Sequence, residues 1–264
     1  MYAIPRRRGL AWLATVSLMS FGMVGMSATT ASALPLQCTG TETNGVDNIT
    51  CPFLLPGQTI NSLGGNDTIT ILLNAGGTVN SGGGNDTVTA TTLDGAADFN
   101  TGSGDDIVRI LGNHDGTSIS TAGGDDLVEI TGNNSGLVDT GANADRFIVH
   151  GSVLADQAFL GSGDDFANIN ILTASDGISG GSLHGGDGTD TLTVAVCTLS
   201  TVAGEDGADT IDITDANACT VLGGAGNDSI HEGAEATGTV DGGPGNDTCQ
   251  EDIPFLGTET NCEI

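Results

Sequence analysis

The amino-acid sequence predicts an all-β protein, a parallel β-roll or β-solenoid of about ten coils of 19–20 residues with disulfide-tied caps. Three observations predict this fold: an aspartate that recurs at nearly constant spacing, a glycine-rich turn before each such aspartate, and apolar positions that keep the same register. Because one unit of this length cannot bury its apolar side chains alone, we expect the units to stack in series.

The recurring aspartates set the coil length. Their successive intervals are 19, 20, 20, 19, 20, 25, 19, 19 and 19 residues, and the long interval indicates an insertion around residues 175–182. Two residues before the aspartate stands glycine in nine units and Asn143 in the tenth, so this position is predicted to have a positive φ. The ten aspartates are Asp67, Asp86, Asp106, Asp126, Asp145, Asp165, Asp190, Asp209, Asp228 and Asp247.

Three apolar columns accompany these aspartates. The position seven residues before the aspartate is apolar in all ten units, from Ile60 to Val240. The positions two and four residues after it are apolar as well, and they share one face of a strand because side chains alternate along a strand. The last column stops at Glu232 and Glu251. Each coil is therefore predicted to hold two strands around a thin core that burial alone stabilises only marginally.

The first 33 residues have the pattern of an export signal. Arg6, Arg7 and Arg8 precede an apolar stretch and a small-residue run that ends at Ala33. The apolar stretch is too short and too interrupted for a transmembrane helix, so we expect a secreted protein, cleaved near Ala33, without membrane insertion. The predicted division is a signal peptide at 1–33, an N-terminal cap at 34–58, a β-solenoid at 59–250 and a C-terminal cap at 251–264.

The charge of the predicted mature chain restricts its partners. Residues 34–264 carry only two basic residues, Arg109 and Arg146, against 34 acidic ones, a formal charge of −32. Such a surface repels nucleic acid and anionic lipid, so neither is an expected partner. A polysaccharide lyase of the β-helix type would need basic groups near its anionic substrate, which argues against this chemistry.

No catalytic constellation stands out, and we expect a protein that is not an enzyme. The four histidines at 114, 150, 184 and 231 lack zinc spacing and a nucleophile motif, so they are expected in turns or on the surface. Acidic pairs such as Asp105 and Asp106 fall inside the repeat, which favours metal ligands or solvated turns over a glycosidase dyad.

All six cysteines lie in the predicted mature region, which suits an oxidising compartment. Six cysteines allow 15 connectivities. Spacing favours Cys38 with Cys51 and Cys249 with Cys262, each 13 positions apart, which leaves Cys197 with Cys219. The two outer pairs would tie the two ends of the solenoid.

Stacked coils would place the ten aspartates in one column, roughly 5 Å apart. Two unit charges at that distance repel by about 3 kcal/mol at an effective dielectric of 20. A hard dication between successive turns removes this repulsion, and Ca²⁺ takes 6 to 8 oxygen ligands from carboxylates and backbone carbonyls. The sequence therefore predicts calcium ions along this column.

The glycine-rich turns resemble the nonapeptide of the RTX, or hemolysin-type calcium-binding, repeat family, here as a stand-alone secreted repeat protein. The stretches at 223–230, 242–249 and 185–192 match its pattern G-G-x-G-x-D-x-U-x. The resemblance implies calcium ions held between successive turns, with binding coupled to folding. It implies as side-chain ligands the ten aspartates above, as carbonyl donors Gly185, Gly188, Gly223, Gly226, Gly242 and Gly245, and as assisting residues Asn227 and Asn246.

The chain departs from the usual pattern of that family. The family has 18 residues per coil and a motif on both edges, whereas these coils have 19 or 20 residues and the motif on one edge. We therefore expect one column of up to about nine ions, with the sites beside Asp67 and Asp145 the weakest.

The alternative is a structural or adhesive surface β-solenoid that needs no metal. In that interpretation the aspartate column is a polar edge, and a cell-surface or matrix partner binds an outer face. Thr-x-Thr pairs such as Thr68 and Thr70 would suit a flat ligand surface, but the series breaks at Arg109, Glu129 and Arg146, which argues against an ice-binding plane.

Overall fold

The computed structural model describes residues 34–35, 37–93, 96–154, 157–173, 180–252 and 256–263. The predicted signal peptide at 1–33 lies outside the described residues. Within these ranges the chain forms strands and turns only, and no helix long and apolar enough to cross a membrane is found there.

Two strands make up each coil, one after the recurring aspartate and one before it. The strands that follow an aspartate are β1 (Asn48–Leu54), β3 (Thr68–Asn74), β5 (Thr87–Leu93), β7 (Ile107–Ile110), β9 (Leu127–Ile130), β11 (Arg146–Leu154), β13 (Phe166–Thr173), β15 (Thr191–Thr198) and β19 (Thr248–Glu251). The strands that precede an aspartate are β2 (Thr59–Asn61), β4 (Thr78–Gly83), β6 (Asp98–Ser103), β8 (His114–Ser120), β10 (Asn134–Asp139), β12 (Gln157–Ser162), β14 (Ser182–Asp187) and β16 (Thr201–Asp206). The last strand, β20 (Thr258–Thr260), precedes Glu263 instead. In the last full coils both strands run together as β17 (Thr210–Ala225) and β18 (Ser229–Asp241).

Each strand pairs with its counterpart one coil later. The pairings between these strands are all parallel, and paired residues are 19 or 20 positions apart, as in Ile69 with Val88 and Val88 with Val108. Across the insertion the separation is 25, as in Ala167 with Leu192. This register confirms the predicted parallel β-solenoid of about ten turns, and strand β1 adds a coil within the segment predicted as the N-terminal cap.

The predicted apolar columns form the core. The column seven residues before the aspartate is buried throughout, from Ile60 at 0% exposure to Val240 at 1%. The two columns after the aspartate are equally buried as far as Ile213 and Ile230, whereas Cys249 at their end is half-buried. The largest side chains in the interior are Phe99, in the column before the aspartate, and Phe147, in a column after it. Because every coil contributes side chains at matching positions, the core runs continuously along the stack.

A further buried column, which the sequence pattern did not reveal, lies at the opposite edge of the coils. It stacks Leu54, Asn74 and Leu93 in the first coils, and His114, Asn134, Val153, Leu172, Cys197 and Ala216 in later ones. The Asn74 carboxamide oxygen accepts the Gly76 and Gly77 N–H groups at 3.2 and 2.7 Å, so it closes its own turn. His114 is fully buried, so its predicted surface or turn position was wrong.

The three disulfides join the pairs that spacing favoured. Cys38 pairs with Cys51, Cys197 with Cys219, and Cys249 with Cys262. The first and last tie the two ends of the stack, and in the chain-entropy model such short loops each contribute roughly 3 kcal/mol.

The glycine-rich turn is held by two positions with positive φ. The position two residues before the aspartate has positive φ in nine units, including Asn143 at 86°, which confirms the prediction everywhere except Gly245. The position four residues before the aspartate has positive φ in all ten units, although three of them carry Leu63, Ala122 and Glu205. A side chain at Gly82 would collide with the Leu63 carbonyl of the preceding coil, so close stacking also demands glycine here.

Candidate metal centre

The ten recurring aspartates form a single hydrogen-bonded column, here called the aspartate ladder. Each ladder aspartate is at most 2% exposed. The backbone N–H of one aspartate donates to Oδ1 of the aspartate one coil later, at 2.7 to 2.9 Å along the whole column. The glycine-rich turn thus points every one of these carboxylates inward along the stack.

Among the described residues, no hydrogen bond of good geometry reaches the second oxygen of any ladder carboxylate. In four N-terminal coils a hydroxyl still interacts with the ladder carboxyl of its own coil and lowers its pKa, that of Ser81, Thr101, Thr121 or Thr140. Oδ2 is buried and unpaired in all ten, from Asp67 to Asp247. A buried polar atom without a partner costs free energy, and one that would be ionised costs more. Ten of them in one row require a proton or a cation.

Burial raises the pKa of the eight ladder carboxyls from Asp86 to Asp228. The pKa rises to about 6 for Asp106, Asp126 and Asp209, to about 7 for Asp190 and to about 8 for Asp145. For Asp145 the negative charges of Asp126 and Asp165 add to the effect of burial, while the hydrogen bond from the Asp126 N–H opposes it. The site therefore disfavours the ionised form unless a positive charge is present.

The ladder ends in two residues that the sequence analysis missed. At the N-terminus, Asp47 donates its N–H to Asp67 Oδ1 at 2.8 Å, as a ladder member does. Both oxygens of its own carboxylate are partnered, Oδ1 by the Thr41 hydroxyl at 2.6 Å and Oδ2 by the Thr43 N–H at 2.6 Å. Burial alone would raise the pKa of Asp47, but these hydrogen bonds together outweigh it and lower the pKa.

At the C-terminus, Glu263 takes the place of the next aspartate. Its carboxylate accepts the Asp247 N–H, and its own N–H donates to the Asp247 carbonyl at 2.6 Å. Asp47 lies 20 residues before Asp67 and could have been found by spacing, whereas Glu263 lies 16 residues after Asp247 and breaks the period.

In the four C-terminal turns, a glycine faces the unpaired oxygen. This glycine stands five residues before the ladder aspartate, at Gly185, Gly204, Gly223 and Gly242. A side chain at Gly223 would collide with Oδ2 of Asp228 and with the carbonyl oxygen of Gly242 one coil later. The other three glycines lie in the same way between their own aspartate and the next carbonyl, which is that of Asn261 for Gly242. The missing side chain therefore leaves one place in contact with a carboxylate oxygen and a carbonyl oxygen.

In the N-terminal turns, the same position carries a side chain. It is Ser62, Ser81, Thr101, Thr121, Thr140 and Leu160 in successive coils, and all six are fully buried. The Ser81 hydroxyl donates to the Thr101 carbonyl at 3.2 Å, and the Thr140 hydroxyl to the Leu160 carbonyl at 2.8 Å. Ser62 and Thr121 donate to the next coil likewise, at 3.0 and 2.8 Å, whereas the Thr101 hydroxyl has no hydrogen-bond partner.

The other predicted ligands lie around the ladder in two settings. Gly188 and Gly226 stack closely, since a side chain at the next glycine of their column, Gly207 or Gly245, would collide with their carbonyl oxygens. Asn227 and Asn246 are exposed on the outer side of the turn, where the Asn227 carboxamide oxygen accepts the Asn246 N–H at 3.0 Å. The ligand role of all these residues stays a prediction. Gly204 also stands five residues before a ladder aspartate, but its turn lacks the full motif and it was not among the predicted ligands.

The donor set fits a hard dication. Ca²⁺ prefers carboxylate and carbonyl oxygens, and the glycine-lined turns present both beside a buried oxygen that has no other partner. The ladder aspartates and the turns that contain the glycines at 185, 204, 223 and 242 are the residues that would hold it.

Comparison with known proteins supplies one informative match. The crystal structure of a hyperactive, Ca²⁺-dependent, β-helical antifreeze protein from an Antarctic bacterium matches with a TM-score of 0.63, over 83% of this chain and 77% of that chain. The likeness is one of fold. The two sequences are 23% identical over the match. No protein-family model and no curated protein matches the sequence.

The basic side chains of the solenoid lie together on one outer face, away from the ladder. Arg109 pairs with Glu129 one coil later, Nε to Oε2 at 3.1 Å, and the Arg146 guanidinium lies over the Phe166 ring at 4.6 Å. His150 contacts Glu129 at 3.3 Å from the other side. These residues interrupt the outer threonine row and pair with each other between coils.

Proposed function

We propose that this chain is a secreted, non-enzymatic calcium-binding β-solenoid, similar in its turn motif to the RTX family, in which Ca²⁺ lies between stacked turns and couples to folding. The observation that supports this proposal best is the row of buried ladder oxygens without a hydrogen-bond partner. Ca²⁺ supplies the charge and the coordination that these oxygens lack.

The solved structure of similar fold adds support, because that β-helical protein is Ca²⁺-dependent. At a formal charge of −32 after residue 33, a chain without cations would repel itself, and ions that bind only the folded state would stabilise it by mass action. We therefore expect calcium to act as a folding switch outside the cell, at concentrations of about 0.1 to 1 mM.

The antifreeze activity of that protein does not extend readily to this chain. A regular outer row requires the same side chain in successive coils, but the row that begins with Thr68 and Thr87 continues with Ile107, Leu127 and Arg146. On the strands before the aspartate a regular threonine row covers four C-terminal coils, at Thr201, Thr220, Thr239 and Thr258. We propose instead that the outer faces serve as a structural surface.

Equilibrium dialysis of the purified chain against ⁴⁵Ca²⁺ tests the proposal. The matched variants are Asp228→Asn in the ladder and Asp139→Asn on an exposed position of β10, which remove the same charge. We expect saturable binding at millimolar Ca²⁺, loss of at least one ion in Asp228→Asn, and unchanged binding in Asp139→Asn. Absence of bound calcium, or equal losses in both variants, would reject the proposal.

A further inference from the structure

We infer that the residue five positions before each ladder aspartate decides which coils hold an ion: the four C-terminal coils with glycine there take Ca²⁺, and the N-terminal coils with a side chain there do not. This inference rests on the proposed calcium function and limits it. It replaces a uniform column of up to nine ions with four.

One row of carbonyl oxygens runs along both halves of the solenoid, beside the position five residues before each ladder aspartate. In the C-terminal half the Gly242 carbonyl oxygen accepts the Gly224 N–H at 3.0 Å, and it faces the place beside Gly223 where a side chain would stand. A carbonyl oxygen has two lone pairs, so one remains for a cation. Asp228 Oδ2, buried and unpaired, borders the same place.

In the N-terminal half, a hydroxyl takes up that second lone pair. The Leu160 carbonyl oxygen accepts the Gly141 N–H at 3.0 Å and also the Thr140 hydroxyl at 2.8 Å. The Thr140 side chain itself fills the place that is open beside Gly223. An ion there would have to displace a buried side chain and break its hydrogen bond.

The same contrast holds along the rod. Thr121 donates to the Thr140 carbonyl at 2.8 Å and Ser62 to the Ser81 carbonyl at 3.0 Å, in the manner of Thr140. Thr101 and Leu160 make no such bond but are fully buried side chains at the same position. In the four coils after Leu160, the position five residues before the aspartate is glycine. At each of these glycines a side chain would collide with both the aspartate Oδ2 and the carbonyl oxygen of the next coil.

The first coil shows that protein donors can bond to both carboxylate oxygens of an aspartate in this column without an ion. Asp47 belongs to the same column, and hydroxyl and N–H donors from Thr41 and Thr43 occupy both of its oxygens. Threonine donors thus serve at Asp47 in a role that we assign to Ca²⁺ at the C-terminal end.

Native mass spectrometry of the whole purified chain in a Ca²⁺ series tests the inference by counting ions. We expect four tightly held ions in the wild type. Thr121→Gly opens a place between Asp126 Oδ2 and the Thr140 carbonyl and should bring the count to five, whereas Ser120→Gly, which changes the neighbouring outward side chain, should leave it at four. Gly223→Ala should lose at least one ion.

Each of these ion counts either supports the inference or overturns it. Because Gly223→Ala crowds backbone atoms and could fail to fold, Thr121→Gly carries the test on its own. About nine equivalent ions in the wild type, or a count unchanged in Thr121→Gly, would overturn the inference and leave the calcium function standing. No bound ion in any protein would overturn the calcium function itself.

Discussion

The Asp106 N–H donates to Asp126 Oδ1 at 2.7 Å, across one coil of the rod, while Oδ2 of the same carboxylate has no partner. One oxygen of each ladder carboxylate therefore serves the fold and the other is left for a proton or a cation. This division separates the structural effect of a substitution from its effect on charge.

Substitutions at Asp126 should show that separation. Asp126→Ala leaves the buried Asp106 N–H without an acceptor and should lower the free energy of unfolding by about 1–3 kcal/mol. Asp126→Asn keeps an oxygen at that place and removes a buried charge, so it should be at least as stable as the wild type at pH 8. Urea unfolding of the proteins in saturating Ca²⁺, where the chain is folded and the coil of Asp126 is expected to hold no ion, measures both values. Equal destabilisation in the two variants would show that the hydrogen bond contributes nothing.

Metal-free protein should lose stability as the pH rises from 4 to 8. A carboxyl whose pKa is raised on folding stabilises the fold while protonated. That contribution is complete below the unfolded pKa near 3.8 and is lost as the pH rises through the folded pKa, about 6 for Asp126, 7 for Asp190 and 8 for Asp145. Urea unfolding of dialysed protein at several pH values measures the trend.

The matched variant for that experiment is Asp145→Asn, which should stay folded without metal to a higher pH than the wild type because the highest of these pKa values belongs to Asp145. Stability that increases steadily from pH 4 to pH 8 without metal would contradict the account.

Glu232 tests the cost of a buried carboxylate outside the ladder. It pairs with Ile213, the last apolar member of the column four residues after the aspartate, and so ends that column. Its side chain is 2% exposed, and burial, with the nearby Glu251 charge, raises its pKa to about 7. Glu232→Ile should stabilise the chain by about 1–3 kcal/mol at pH 8, since it replaces a buried carboxylate with an apolar side chain.

The gain from Glu232→Ile should shrink at pH 5, where the wild-type carboxyl is protonated, and thermal unfolding at both pH values measures it. A loss of stability at pH 8 would mean that the carboxylate makes a favourable interaction there.

Ala122 holds a left-handed backbone, with φ of 68°, at a position that is glycine in seven of ten coils. Ala122→Gly should raise the free energy of unfolding by up to about 1 kcal/mol, because the strain of the left-handed conformation exceeds the entropy that glycine adds to the unfolded chain. The control is Ala142→Gly, whose φ is not positive and which should destabilise. Chemical denaturation of both variants measures the two effects, and an equal loss in both would exclude strain at Ala122.

The stacking pattern could be predicted because the solenoid repeats it. Ten aspartates in one register define the coil, and apolar residues such as Ile60 and Ile69 recur at fixed offsets from them, so the core columns follow directly. The column at the opposite edge escaped detection because it mixes Leu54 with Asn74 and His114, and no single residue type marks it.

The difference between the two halves of the metal centre was visible in the sequence but could not be interpreted there. Residues 62, 81, 101, 121 and 140 are serine or threonine and residues 185, 204, 223 and 242 are glycine. Only the stacked structure shows that this position faces Oδ2 of the aspartate and the carbonyl of the next coil. Glu263 escaped for a similar reason, since its longer side chain reaches the ladder from outside the repeat spacing.

Far-UV circular dichroism of the purified chain, after removal of metal and during a Ca²⁺ titration with Mg²⁺ as the control, tests directly whether calcium binding is coupled to folding. We expect a cooperative gain of β-structure at about 0.1 to 1 mM Ca²⁺ and at pH 8. Mg²⁺ should cause little change, because the smaller ion gives up its water ligands reluctantly. Full β-structure in chelator at pH 8, unchanged by calcium, would contradict it and leave an acidic solenoid that folds without metal.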